Sequence, residues 1–391
     1  MREISAVKQK ILILGLVGIL ILAIAMIVIM FMGEKNNQEQ IVDNSTTADK
    51  TTNEQSLNQQ VTKANETKAE QNKRFLKIAS ENVFGLKIQK GTNRIMFYQN
   101  QKILSADPFS GKKHSLGSYP FTEVTKFLWS HDSSKALVKD SGSYYIYRAN
   151  SNLANKFPLS IDIAIWDGKK DRLIYKYYNS NTGERSIASI NSDGKDKILI
   201  KKGIPYRKIE LTVRPGTDSV CYFPHPDARL KGKLFCQSLN GQIKKEYGGH
   251  YGQDYLWSPD GSKILTSFTK EESGNKITLG VIDKNNNQEK ELSLGTTVQK
   301  CVWSKNNIDV YCAALNGAPL AIMMPNAWEE ELFNSADTFW KINTETGEKK
   351  RLVELDKMSL VVDSENLILD AEEKFLFFVG RRGRNLWRLK L

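Results

Sequence analysis

Histidine and cysteine are scarce in this chain, which has four of each among 391 residues. The cysteines lie far from any Cys-x-x-Cys spacing, and the histidines form no pattern typical of metal ligands. The histidines are His114, His131, His225 and His250. The sequence therefore predicts no zinc site and no other metal site, and nothing in it indicates a cofactor.

The motif of the serine hydrolases is also missing. No Gly-x-Ser-x-Gly nucleophile turn is present, and the chain has no room for a hydrolase domain beside its repeated strands. Acidic residues are numerous, but no two of them stand out as the acid and base of a glycosidase. From the sequence we expect no enzyme activity.

Charge is absent from one long apolar segment near the N-terminus. Residues 11–32 (ILILGLVGILILAIAMIVIMFM) match the roughly 20 residues that a helix needs to cross a bilayer. The segment is longer than the apolar core of a cleaved signal peptide. Three basic residues precede it, which places residues 1–10 in the cytoplasm. The sequence predicts a single-pass plasma-membrane protein with everything after residue 32 outside the cytoplasm.

Large apolar side chains are nearly absent from residues 33–72, which are rich in Asn, Gln, Thr, Glu and Lys. Such a composition cannot bury enough surface to offset the entropy lost when a chain becomes ordered. We expect a disordered polar stalk that holds residues 73–391 away from the membrane.

Positive charge is concentrated in the C-terminal region. The chain has a formal net charge of +12, to which residues 1–32 contribute +2, residues 33–72 contribute −3 and residues 73–391 contribute +13. The excess favours anionic partners such as envelope polymers. The alternative is a basic surface that serves only solubility, because no long run of Lys or Arg concentrates the charge. We do not expect nucleic acid as a partner.

Short apolar hairpins recur through residues 73–391. An apolar strand ending in Trp-Ser, a turn and a second apolar strand occur three times, and two weaker copies follow the same design. The equivalent positions are Trp129, Trp166, Val213, Trp257 and Trp303, at spacings of 37, 47, 44 and 46 residues. This period is typical of propeller blades, and we expect the Trp side chains to pack between blades.

Two degenerate copies flank these five, at residues 83–98 and 367–379, and further strands follow the hairpins. The sequence therefore predicts an all-β fold, a β-propeller of four-stranded antiparallel blades, with seven blades favoured and six possible. The last copy ends after its third strand. We expect residues 74–79 to supply the fourth and close the ring, which removes exposed strand edges.

The run Trp-Ser-Pro-Asp-Gly-Ser-Lys at residues 257–263 resembles the TolB-like (WD40-like) β-propeller repeat. The resemblance covers most of residues 74–391 and implies the propeller fold, while such repeats occur in scaffolds, peptidase gating domains and lyases alike. The loop at residues 315–337 looks like an insertion into the propeller repeat. With its N-terminal anchor, the chain is similar to uncharacterised membrane-anchored propellers of bacteria.

The four cysteines form two pairs, each across a predicted hairpin. Facing positions on antiparallel strands are about 4.5–5.5 Å apart, within the reach of a disulfide. A compartment outside the cytoplasm permits oxidation. We predict the disulfides Cys221–Cys236 and Cys301–Cys312, and the alternative is four free buried thiols.

Unusual basic and aromatic loops fall at one rim of the predicted propeller, where second strands turn into third strands and where blades connect. The predicted binding residues in these loops are Trp328, Tyr206, Arg207, Arg229, Lys231, Arg381, Arg382 and Arg384. Basic and aromatic groups on one face suit an anionic polymer or an acidic protein. The alternative for each basic loop is a solvated turn.

The sequence thus suggests a membrane-tethered, extracytoplasmic propeller that binds or scaffolds proteins in the cell envelope. Its partners would be the membrane, through the single anchor, and an envelope protein or an anionic polymer. The alternative is a glycan-active enzyme, a hydrolase or lyase, or an anionic-polymer-binding protein built on the propeller.

Overall fold

A computed structural model of the chain describes residues 74–89, 91–157, 161–239, 244–285, 287–316, 321–353 and 361–391. The predicted membrane helix and the predicted stalk lie outside these residues. Among the residues described, no helix combines the length and the apolar character needed to cross a membrane. Apart from short helical turns, of which α1 (Asn326–Glu329) matters for the site, the described chain consists of antiparallel strands and their connections.

The first three sheets in chain order have four strands each. The first contains β2 (Val83–Ile88), β3 (Ile95–Gln99), β4 (Lys102–Ala106) and β5 (Lys113–Ser118). The second contains β6 (Val124–Trp129), β7 (Lys135–Asp140), β8 (Ser143–Arg148) and β9 (Leu153–Lys156). The third contains β10 (Ile163–Trp166), β11 (Arg172–Asn179), β12 (Glu184–Asn191) and β13 (Ile198–Lys201).

A seven-stranded sheet follows, and two further four-stranded sheets complete the described residues. The seven strands are β14 (Ile209–Val213), β15 (Ser219–Pro224), β16 (Lys231–Ser238), β17 (Lys244–Trp257), β18 (Lys263–Thr269), β19 (Ile277–Asp283) and β20 (Glu289–Glu291). The next sheet contains β21 (Cys301–Trp303), β22 (Asp309–Ala314), β23 (Thr338–Asn343) and β24 (Lys349–Arg351). The last contains β25 (Ser364–Leu369), β26 (Phe375–Gly380), β27 (Asn385–Lys390) and β1 (Phe75–Ala79). The all-β class and the four-stranded antiparallel sheets that the repeat predicted are confirmed.

Strand β17 joins what would otherwise be two four-stranded sheets. It is 14 residues long, and its first part pairs with β16 while its last part, through Trp257, pairs with β18. Gly248 and Gly249, both with positive φ, lie within the strand where it passes from one partner to the other. Glycine accommodates this backbone conformation because it has no Cβ.

The two ends of the described chain meet in the last sheet. Strand β1 pairs antiparallel with β27, with Phe75 facing Leu389. Arg74 adds to this pairing, because its Nε and Nη2 donate hydrogen bonds to the carbonyl of Lys390 at 3.0 and 2.8 Å. First strands of neighbouring sheets contact one another in the pairs β2–β6, β6–β10, β10–β14 and β21–β25, and β25 of the last sheet contacts β2 of the first. These contacts arrange the sheets around a common axis.

The hairpin turns of the repeat are held by local hydrogen bonds. The Ser258 hydroxyl donates to Asp260 at 2.7 Å and accepts the backbone N–H of Lys263 at 2.9 Å. The corresponding turn uses Ser130 and Asp132 in the same way, with a hydroxyl-to-carboxylate distance of 2.7 Å. A Ser followed two residues later by Asp therefore fixes the turn from within the sequence.

The repeated Trp residues connect neighbouring sheets. Trp129, Trp166 and Trp303 are each less than a tenth exposed. Each donates its indole N–H to a backbone carbonyl of the preceding sheet, of Gly85, Leu128 and Leu256 respectively, at 2.8, 2.8 and 3.1 Å. These side chains pack the sheets against one another and are not exposed to a ligand.

Two disulfides cross hairpins in the described residues. Cys221 faces Cys236 on β15 and β16, and Cys301 faces Cys312 on β21 and β22. Both pairs are bonded, with Cα atoms 4.1 Å apart. A disulfide between facing strands fixes their register, because a slip of one residue would move the two sulfurs apart.

Candidate functional site

A cleft of about 1240 Å³ opens at the end of the sheets where second strands turn into third strands. One wall is the connection between β13 and β14, and another is the loop between β15 and β16. Helix α1, in the long loop between β22 and β23, forms a third wall. Strands β14 and β17 add Glu210 and Asp254 from the interior side.

A histidine joins two walls of the cleft to its interior. His225 approaches Glu210 with Nδ1 and Glu329 with Nε2, each at 2.8 Å. The hydrogen bonds that His225 donates to Glu210, and then to Glu329, raise the pKa of His225 to about 10. The ring is therefore an imidazolium at neutral pH, and it forms an ion pair with each of the two carboxylates.

Asp254 is an acidic residue of the cleft that is nearly buried and has a raised pKa. It is 8% exposed, accepts the backbone N–H of Tyr255 at 2.8 Å, and lies 3.3 Å from the amide nitrogen of Gln299. Burial raises the pKa of Asp254 to about 7, and the negative charges of Glu210 and Glu329 add to the rise. A carboxyl group with such a pKa exchanges protons readily at neutral pH.

Gln299 connects these two parts of the site. Its amide nitrogen is 3.3 Å from Asp254 Oδ2 and 3.4 Å from Glu329 Oε1. Together with His225 and Glu210, these groups form a continuous polar chain, which we call the carboxylate relay. A change at any member alters the field at Asp254, because all of them lie within a few ångströms of a neighbour.

Five of the eight predicted binding residues line this cleft, and three do not. The five are Tyr206, Arg207, Arg229, Trp328 and Arg381. Lys231 instead places its ammonium 5.1 Å from the ring centre of Tyr251. Arg382 is exposed in a short turn, and Arg384 lines a smaller neighbouring depression.

Two of the five line the cleft as part of its framework. Trp328 is only 1% exposed, with the Lys300 ammonium 5.2 Å and the Arg381 guanidinium 4.2 Å from its ring centre. Arg381 donates to the carbonyls of Trp328 and Glu329, in the second case at 2.8 Å. These two residues position α1, and with it Glu329, rather than presenting free groups to a ligand.

Arg207 and Lys208 are the available cations of the cleft. Both side chains are exposed, and neither has a hydrogen-bonding or ionic partner among the described residues. Arg229, in contrast, forms a two-pronged contact with Asp227, at 2.9 Å for each pair of atoms. An anionic ligand would therefore meet Arg207 and Lys208 first.

Sequence reasoning missed the carboxylate relay. One signal was available, because Glu210 interrupts the otherwise apolar and Thr-containing strand β14. No local pattern marks the others, since Asp254, Gln299 and Glu329 are brought together from three distant segments. The raised pKa of Asp254 depends on burial and on neighbouring charges, which the sequence alone does not place.

The raised pKa of His225 predicts how stability changes with pH. A group whose pKa is higher in the folded state stabilises the fold fully below its unfolded value and loses that contribution as the pH rises through the folded value. We expect the difference in Tm between the natural chain and His225→Gln to be greatest below pH 6.5 and to shrink towards pH 10. Thermal unfolding at a series of pH values measures this.

Exposed His131 supplies the control, and His131→Gln is expected to leave Tm unchanged throughout. A difference for His225→Gln that stays constant over the same pH range would contradict the ion pairs with Glu210 and Glu329.

No protein-family model matches the chain, and no curated protein is similar to it in sequence. Solved structures share its fold. An oligogalacturonate lyase in complex with manganese is similar with a TM-score of 0.58 and 11% identity, over 81% of this chain and 93% of that one. An oligogalacturonate lyase from Vibrio parahaemolyticus has a TM-score of 0.56 and 9% identity over the same shares.

Two further structures belong to quite different systems. A chain of the mitotic checkpoint complex is similar with a TM-score of 0.53 and 13% identity, again over 81% of this chain and 93% of that one. TolB from Acinetobacter baumannii has a TM-score of 0.43 and 12% identity over 79% of this chain and 63% of TolB. At these identities the similarity concerns the fold alone, and the four-stranded sheets fit a β-propeller.

The expectation from the sequence that the chain has no enzyme activity is wrong. Two of the structures that share its fold are lyases, so the absence of a hydrolase motif does not argue against catalysis here. The physical reason is that acid and base groups of a propeller come from separate strands and loops, where no local motif records them.

No group of three His, Cys, Asp or Glu side chains in the described residues is arranged to hold a metal ion. In the cleft, both nitrogens of His225 are directed to carboxylates and carry protons. The ring therefore has no lone pair for a metal, and we derive no step through one.

Proposed function

We propose that this chain is a lyase that cleaves an acidic glycan in the cleft, with Asp254 as the base. The observation that carries the proposal is that Asp254, a nearly buried carboxyl group with a raised pKa, lines the same cleft as the exposed cations Arg207 and Lys208. Buried acids with such pKa values are common at catalytic sites.

The reaction is an elimination at a uronate unit. Ionised Asp254 accepts the proton from the carbon next to the sugar carboxylate, the bond from the adjacent carbon to the glycosidic oxygen breaks, and a carbon–carbon double bond forms. Arg207 and Lys208 neutralise the carboxylate and the negative charge that develops on it. The leaving oxygen takes its proton from water in the open cleft.

The state of the other carboxylates favours elimination over hydrolysis. Hydrolysis of a glycoside uses two carboxyl groups in separate roles. In this cleft Glu210 and Glu329 are both bound to the imidazolium of His225, and Asp254 is the lining carboxyl group whose pKa burial raises to about 7. Elimination needs one base and a cation for the substrate carboxylate, and the cleft has both.

Purified full-length chain in detergent tests this function against polygalacturonate, alginate and hyaluronate, with dextran as the neutral reference. Elimination creates an unsaturated sugar that absorbs ultraviolet light, so the products report the reaction type directly. We expect unsaturated products from at least one acidic glycan and none from dextran. Saturated products would indicate hydrolysis, and no product from any acidic glycan would contradict the proposal.

The fold proposal includes seven blades. Strand β17 would serve as the last strand of the fourth blade and the first strand of the fifth, so that the seven-stranded sheet counts as two blades. The pairing of β1 with β27 would complete the seventh. An experimental structure in which β16 and β17 are not paired, because another sheet lies between them, would contradict this count.

We also propose that residues 11–32 anchor the chain in the plasma membrane, with the N-terminus cytoplasmic and the propeller outside. The uncharged run supports an anchor. The disulfides Cys221–Cys236 and Cys301–Cys312 support an oxidising compartment. We expect a protease to cut within residues 33–72 and release the propeller when it is added to intact cells whose plasma membrane is accessible from outside. Release only after lysis would contradict this topology.

A second candidate function is protein binding at the outer strands. Large apolar side chains are 41–59% exposed on β5, β9 and β13, the last strands of three successive sheets. They are Leu116, Leu153, Ile198 and Leu199. Exposed apolar side chains on strand edges favour a protein partner. Crosslinking on membranes tests this function, with Leu153→Lys and Leu199→Lys as the comparison. Loss of a specific crosslinked partner in these variants would support binding at the outer strands.

A further inference from the structure

A second depression of about 420 Å³ adjoins the cleft. It is lined by strands of three sheets, β2, β6 and β25, together with Arg384. Glu365 and Asn366, at the start of β25, line both the cleft and this depression. The two spaces therefore meet along these residues, and a chain-like ligand could pass from one to the other.

Lys126 places a positive charge in the second depression, and no neighbouring carboxylate in the described part of the chain pairs with it. The side chain lies on β6, is partly buried, and has no hydrogen-bonding or ionic partner among the described residues. Burial lowers the pKa of Lys126, the charge of Glu210 in the neighbouring cleft raises it, and the charge of Lys139 lowers it further. A partly desolvated ammonium without a partner is costly unless an anion meets it.

The other charges in the depression are already paired. Arg384 donates to Glu365 at 2.9 Å and to the carbonyl of Val83 at 3.0 Å, and its guanidinium lies 4.1 Å from the ring centre of Phe84. The carboxylate of Glu365 therefore does not neutralise Lys126. Of the described residues that line the depression, Lys126 is the one free cation that an incoming anionic group would meet, against largely apolar walls.

We propose that Lys126 forms a second anion subsite, which binds a carboxylate of the same acidic glycan whose other units occupy the cleft. This inference rests on the proposed function for the identity of the ligand, and it adds that the ligand must be an oligomer. Short chains fill only the cleft. Longer chains cross Glu365 and Asn366 and reach Lys126, so affinity increases with chain length until the second depression is filled.

Binding of oligogalacturonates of increasing defined length to full-length chain in detergent tests the subsite. The measurements use Asp254→Asn, which prevents turnover, with and without Lys126→Met. We expect Lys126→Met to weaken the binding of long oligomers about tenfold and to leave the dimer unaffected. Lys126→Arg should restore most of the loss, since it keeps the charge.

Lys139 provides a matched control. It faces Lys126 across β6 and β7, and it lines neither space. Lys139→Met removes an equal charge from the same region. Because the charge of Lys139 lowers the pKa of Lys126, this variant keeps Lys126 charged, and we expect it not to weaken the binding of long oligomers. Equal losses for Lys126→Met and Lys139→Met would overturn the subsite, because the effect would then be general attraction of an anion.

The outcomes for subsite and function are separable. Turnover that depends on Asp254, combined with long-chain binding that does not depend on Lys126, overturns the subsite and leaves the lyase proposal standing. Length-dependent binding through Lys126 without turnover by the natural chain supports the subsite and overturns the lyase. Affinity that is the same for all lengths overturns the subsite.

Discussion

Asp254→Asn is expected to reduce the rate of glycan cleavage by a factor of about 100 to 10,000, the usual contribution of a general base. Asparagine has nearly the same shape as aspartate and can still accept the backbone N–H of Tyr255. The amide of Gln299 can rotate to face the new side chain. The loss of rate would then come from the missing proton acceptor rather than from a disturbed fold.

The same substitution is expected to raise stability. The pKa of Asp254 rises on folding from 3.8 to about 7, so the fold favours its protonated form. Its stabilising contribution is present below pH 3.8 and is lost as the pH rises through about 7. With 1.36 kcal/mol for each pKa unit, the cost of ionised Asp254 is on the order of 4 kcal/mol. Asp254→Asn removes this cost, and its Tm should exceed that of the natural chain above neutral pH.

Asp140 offers a matched control for both measurements. It is also 8% exposed, but it lies on β7, away from the cleft, and accepts the backbone N–H groups of Thr122 and Glu123 at 2.9 and 2.7 Å. Asp140→Asn should leave the cleavage rate unchanged and should not raise Tm. Retained activity in Asp254→Asn would remove Asp254 from the mechanism.

The pH profile of the natural chain distinguishes a base from an acid. If Asp254 accepts the proton, kcat/KM of the natural chain rises with pH through about 7, where this group ionises in the free protein. A rate that falls over the same range would assign Asp254 the role of an acid. That result would contradict the elimination mechanism, because the base must be ionised before it can act.

The hairpins could be predicted from the sequence because their causes are local. Ser258 and Asp260 fix a turn within a few residues. The apolar strands on either side of the turn pair with each other. The Trp of each copy marks where one sheet meets the next. Such features recur at a readable period, and the all-β class follows from them.

The groups of the candidate site could not be predicted in the same way. The rim of the propeller was within reach, because loop length and charge indicate where unusual segments cluster. The role of Asp254 was not, because it results from burial together with Glu210 and Glu329, which lie 44 and 75 residues away along the chain. The aromatic ring of Trp328 suggested a ligand contact, and in the structure it is 1% exposed and packs against Lys300 and Arg381.

Lys300→Met is expected to destabilise the fold by about 3–5 kcal/mol, the usual cost of removing one partner from a buried ion pair. Lys300 is fully buried and binds two carboxylates, with its ammonium 2.7 Å from Asp337 Oδ2 and in contact with Asp363. Asp363 also accepts the indole N–H of Trp328 at 3.1 Å. Methionine fills a similar volume but leaves two buried carboxylates without a cation. Denaturant unfolding at neutral pH measures the loss.

Two comparisons decide whether the lost charge is the cause. Lys263→Met breaks a 2.9 Å contact with the 57% exposed Glu345, and such a surface pair is worth at most about 1 kcal/mol. Burial already raises the pKa of Asp337, and without Lys300 it should rise further, so the fold of Lys300→Met would bind extra protons. Its deficit should therefore shrink as the pH falls. A deficit that stays constant with pH would mean that lost packing, not unpaired charge, weakens the support beneath α1 and Glu329.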